Sequence, residues 1–68
     1  MTFIDKIDII HKDHDRKDIT PDRKAEADAI VTMYVVAVVH NTLNNKEVLE
    51  KIENLADGYI NRYHLPTE

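Results

Sequence analysis

The chain has 68 residues, 43% of them apolar and 32% charged, and its 13 acidic side chains against nine basic ones leave a formal charge of −4. A chain this short makes one small domain (residues 1–68), at a size where a single core is marginal and association, a disulfide or a metal commonly adds stability. With no cysteine it can form neither a disulfide nor a zinc–thiolate centre, and with no basic stripe it lacks the electrostatic footprint of a nucleic-acid binder.

A first helix is expected over about residues 2–12. Thr2 is suited to its N-cap, with Asp5 at the capping-box position, and Phe3, Ile4, Ile7 and Ile10 recur at helical spacing as one apolar face. Ile9 falls off that face, and Asp8 and Lys12 make an i,i+4 pair. Residues 13–20 read as an exposed polar link, since no apolar side chain occurs there before Ile19.

Thr20-Pro21-Asp22 marks the start of a second helix, expected over 21–43. Threonine caps, proline fits the first turn where its missing N–H costs nothing, and an acid suits the positive end of the helix dipole. This helix runs into the most informative segment of the chain, residues 29–39, apolar throughout except for Thr32. Its valines would suit a strand, but a lone strand has no partner here, and the residues leading into it (Arg23, Lys24, Ala25, Glu26, Ala27) are strong helix formers. At eleven residues it is well short of the roughly 20 needed to span a bilayer. A helix apolar on all sides must be covered on all sides.

The poor helix formers from His40 to Asn45 end the second helix, and Asn44 or Asn45 caps a third, expected over 46–63. Val48, Ile52, Leu55 and Tyr59 form one row, flanked by Leu49, Ala56, Ile60 and Tyr63. Glu47 and Lys51 are spaced as a supporting pair. Gly58 marks a close crossing or an early end, and Pro66 stops the chain, leaving residues 64–68 as a tail.

The short connection makes the second and third helices an antiparallel hairpin. The fold class is therefore all-α: a short N-terminal helix plus that hairpin. One hairpin cannot cover the apolar block, so a symmetric homodimer with a four-helix core is expected. Its core and interface fall to Ile30, Tyr34, Val35, Val36, Val38, Val39, Ile52, Leu55 and Tyr59. The face of Phe3, Ile4, Ile7 and Ile10 either packs on this hairpin or docks on another protein.

Chemistry finds little support in the residues. His11 with Asp15 and His14 with Asp18 are i,i+4 neighbours, a spacing open to a surface metal site but common in so charged a segment; a solvated link is the preferred reading. His14-Asp15 also spells the signature dipeptide of HD phosphohydrolases, whose further ligands need a much longer chain. Glu26 and Asp28, two apart, do not face each other on a helix and suit the dipole instead. One glycine and no cysteine permit no phosphate loop or nucleophile elbow. Tyr34, Tyr59 and Tyr63 read as core or interface aromatics, and His40 and His64 as helix C-terminal residues. No catalytic residue, metal or cofactor is expected.

The segment Leu43-Asn44-Asn45-Lys46-Glu47-Val48-Leu49, followed by Ile52 and Leu55, resembles the hairpin of the small enterobacterial biofilm and acid-resistance regulators. The resemblance implies a dimeric helical protein that acts by contacting other proteins. It covers about a third of the chain. The chain has His40-Asn41-Thr42 where those regulators carry a loop glycine, residues 1–24 have no counterpart, and no residue role is carried over.

The expected function is a non-catalytic protein-interaction or regulatory module, a homodimer that contacts another protein, with no nucleic acid or membrane partner. The alternative is an inhibitor of one target protein, of the kind phages and mobile elements encode; a small metal-dependent enzyme built on His11 to Asp18 is a distant third. Charges at the N-terminus, where a signal peptide needs apolar residues, make the expected location cytoplasmic.

Overall fold

The computed structural model describes residues 2–66, which form three α-helices and no strand: α1 (Phe3–His14), α2 (Pro21–Val39) and α3 (Lys46–Arg62). The caps act as the sequence suggests. The Thr2 hydroxyl accepts from the Asp5 N–H and the Asp5 carboxylate from the Thr2 N–H, both at 3.2 Å, a reciprocal capping box. The Thr20 hydroxyl accepts from the Arg23 N–H at 3.2 Å with Pro21 in the first turn of α2. The Asn45 side chain accepts from the Glu47 N–H at 2.9 Å.

The helix ends depart from expectation. α1 runs on to His14, and α2 stops at Val39 instead of reaching residue 43. After α2 and again after α3 the chain turns through a left-handed residue, Asn41 at φ 54° and His64 at φ 53°. Thr42 N–H then donates to the Ala37 carbonyl at 2.8 Å and Asn41 N–H to that of Val38 at 3.1 Å, while Leu65 N–H donates to the Ile60 carbonyl at 3.1 Å. These bonds are the Schellman closure of a helix. The second one folds Leu65 into the core, so the expected tail is part of the fold as far as Leu65. Residues 67 and 68 of that tail lie outside the described residues.

All three helices touch one another around Ile7, Ile10, Ile30, Ile52, Tyr59 and Ile60, with Ala27, Ala37 and Ala56 buried among them. Alanine at three core positions lets the helix axes approach closely and keeps the core narrow. The first helix belongs to this core. Ile7 and Ile10 are buried, Phe3 lies half-buried with its ring centroid 5.7 Å from that of Tyr34, and even Ile9 is packed against the core. Of the four residues offered as a partner face, only Ile4 is exposed. The rest of that face is taken up by the chain's own hairpin, because α3 alone shields just one flank of α2.

The expected core residues divide in two. Ile30, Ile52 and Tyr59 are buried and Tyr34 is half-buried, whereas Val35, Val36, Val38, Val39 and Leu55 are exposed. Gly58 sits inside α3 with nothing within 4 Å of where a Cβ would lie, so it marks neither a close crossing nor an end. Lys51 was expected to pair with Glu47, but the i,i+4 ion pair on that stretch is Lys46 with Glu50, at 3.9 Å.

Candidate functional site

Two features stand apart from an ordinary three-helix core. One is a buried polar clasp centred on Asp13. The sequence pattern places this residue in an exposed link, yet the helix continues through it and its side chain is only 3% exposed. Arg23, in the first turn of α2, grips the carboxylate with two bonds, Nε to Oδ2 at 2.9 Å and Nη2 to Oδ1 at 2.7 Å. Tyr59 of α3 donates its hydroxyl to Oδ2. Arg16 reaches Oδ1 from the outside at 3.5 Å. The Arg23 guanidinium also lies 4.6 Å from the centre of the Tyr63 ring, which is tilted against Tyr59 at 4.8 Å between centroids. One carboxylate thus ties together the end of α1, the start of α2 and the end of α3.

Burial pushes the Asp13 carboxyl upward, but hydrogen bonds from Arg23 and Tyr59 outweigh it and hold the group below the usual carboxylate range. Burial, followed by the bond to Asp13, pushes the Tyr59 phenol up to about 12. Perturbed groups often mark active sites, but structural ion pairs perturb in the same way. Here both carboxylate oxygens are occupied and the phenol is spent, so the cluster offers no free base or nucleophile. It is a fastening.

The sequence held two signs of it. Asp13 follows Ile7 and Ile10 at helical spacing, in phase with the buried face. Arg23 places a cation in the first turn of a helix, where the dipole disfavours one unless an anion is close.

The second feature is the outer face of α2. Ala25, Asp28, Ala29, Thr32, Val35, Val36 and Val39 all point away from the core and are exposed, with Val35 at 50%, Val36 at 49% and Val39 at 74% exposure. Asp28 is the one charged side chain among them. On one side the face runs into a groove of about 340 Å³ between α2 and α3, lined by Met33, Val36, Val48 and Ile52 with Lys51 at its rim. On the other it runs into a groove of about 290 Å³ between α1 and α2, lined by Ile4, Ile7, Val31, Tyr34 and Val35 together with Asp8 and His11. The result is a largely apolar ridge with a mostly apolar trough on each flank; Val38 and Leu55, also exposed, lie off it.

The histidines form no comparable site. His11 and His14 stack with ring centroids 6.5 Å apart. Asp15 lies 4.0 Å from His11 Nδ1 and 3.4 Å from His14 Nδ1, and His14 Nε2 is 3.8 Å from Asp28. Among the described residues no group of three or more such side chains could hold a metal ion. Glu26 and Asp28 diverge as their spacing requires, Glu26 to Arg62 of α3 and Asp28 towards His14 of α1. His40 and His64 follow the ends of α2 and α3.

No family model, curated protein or solved structure matches this chain. The resemblance of residues 43–55 to the biofilm and acid-resistance regulators therefore gains no support, and function has to be argued from the ridge and the clasp. No helix among the described residues is long and apolar enough to cross a membrane.

Proposed function

We propose that this chain is a non-catalytic, self-associating module: a homodimer joined through the outer face of α2, presenting its charged helices to another protein. The observation that carries the reading is the exposure of Val35, Val36 and Val39 along one ridge. Small monomeric proteins rarely leave a continuous apolar patch of this kind in water, and such patches mark association sites. The clasp supports the same reading from the other direction. It holds three short helices in fixed relation, so the ridge is a formed surface in the single chain and needs no rearrangement before a partner arrives.

The ridge carries no charge but that of Asp28, so a second copy can meet it there despite the net charge of −4 on each chain. Light scattering after size exclusion tests the reading on the protein at micromolar concentration, alongside Val36→Glu. The wild type is expected at twice 7.9 kDa and the variant at the single-chain mass with its helix content unchanged. A wild type that elutes at the single-chain mass overturns the proposal.

A further inference from the structure

We infer that the two copies meet antiparallel across α2, with the twofold axis passing at Thr32. This rests on the self-association proposed above and adds its geometry. The first argument is the taper of the ridge. Its N-terminal half carries the small side chains of Ala25 and Ala29 with Asp28 beside them, and its C-terminal half carries Val35, Val36 and Val39, with Thr32 between the halves. A parallel pair would set alanine on alanine at one end and valine on valine at the other, so the two helices could not keep a constant separation. Turned antiparallel about Thr32, Ala25 of one copy meets Val39 of the other, and Ala29 lies level with Val35 and beside Val36. Large side chains then fill the space that small ones leave, as close packing requires.

The second argument is charge. Asp28 is exposed on the ridge. A parallel pair sets the two Asp28 carboxylates at the same level across the contact, where like charges destabilise. The antiparallel arrangement separates them by eight residues, about 12 Å along the helix axis, and leaves each beside His14 of its own chain, whose Nε2 lies 3.8 Å away. The two α2 macrodipoles also oppose in this arrangement, whereas a parallel pair aligns them.

The third is size. A standard interface takes about 800 Å² from each partner, roughly one-sixth of the 4762 Å² accessible surface of the chain. Reaching that share takes the groove on each flank as well as the ridge, and so brings in Lys51 on one side and Asp8 and His11 on the other.

The chain lacks cysteine, so single cysteines report the geometry directly. Helices in contact lie about 8–10 Å apart between axes, which brings two Cα atoms facing each other at the twofold axis within disulfide reach. Thr32→Cys, Ala25→Cys and Val39→Cys are each oxidised in a glutathione buffer at micromolar concentration, and the covalent dimer is read by non-reducing electrophoresis. Thr32→Cys is expected to cross-link nearly completely, Ala25→Cys and Val39→Cys alone poorly, and an equimolar mixture of those two at least fivefold better than either. Equal cross-linking of all three variants with themselves means a parallel pair and overturns the geometry while leaving self-association standing. Cross-linking of none, in variants that light scattering still finds dimeric, moves the interface off this ridge and overturns it as well. Single-chain masses throughout remove both this inference and the reading on which it rests.

Discussion

Asp13 carries a charge into a core of isoleucine and alanine, and Arg23 and Tyr59 decide whether that charge costs stability or contributes it. Removing one partner of a buried pair strands the other, so Asp13→Asn is expected to cost about 3 kcal/mol in urea unfolding, a large share of the total for a chain this size. A change below about 0.5 kcal/mol, the range of ordinary surface substitutions, would mean the clasp fastens nothing. The pH dependence follows from the direction of the shift. Because the folded carboxyl sits below its ordinary value of 3.8, its contribution is fully present above that pH and is lost as pH falls through the lower, folded value. Thermal stability should therefore hold through mildly acidic pH and drop below about pH 4, with a shallower drop in Asp13→Asn. Two other residues sit where the backbone prefers the opposite choice. Gly58 lies inside a helix with open space around it, and His64 occupies a left-handed position at φ 53°. Gly58→Ala and His64→Gly are each expected to raise stability by about 0.5–1 kcal/mol, measured by calorimetry; a loss in either would show that the local backbone argument is wrong there.

At the scale of the helices, the starts were legible in the sequence because each is announced by a side chain that accepts from its own first turn: Thr2, Thr20 and Asn45. The end of α3 was legible to within a residue, whereas α2 stops four residues before 43 because Asn41 takes a conformation usually given to glycine, which composition does not reveal. The exposed-link reading of residues 13–20 failed for a related reason. Asp13 is polar and therefore looks solvated, and its burial makes sense only once Arg23, ten residues on, and Tyr59, on the third helix, are brought to it in space. The apolar face of the first helix was recognised, but not where it packs. Since Ile10 is fully buried and Lys6 joins α3 at 3.2 Å from Glu53 and 2.9 Å from Asp57, α1 is a structural member of the bundle. Ile10→Ala is expected to cost about 2–5 kcal/mol, and removing residues 1–18 should abolish cooperative unfolding. A shortened chain that still melts cooperatively would return α1 to the role of a free docking helix.

For the whole molecule, the apolar block of residues 29–39 is shared between two tasks. One side, with Ile30 and Ala37, builds the narrow core of the single chain, and the other, with Val35, Val36 and Val39, is left on the surface as a ridge. The sequence showed that the block needs covering on all sides but could not apportion the sides, since that depends on α1 taking the second flank. The division makes the two tasks separable by mutation: a charge at Val36 should split the dimer without unfolding the chain, while a truncation at Ile30 should unfold both. Sedimentation equilibrium of the unmodified protein, across a dilution series through the micromolar range, addresses the central claim most directly. The account predicts a mass of twice 7.9 kDa that falls towards the single-chain value only on dilution. A single-chain mass at every concentration, with the helices intact, would contradict it.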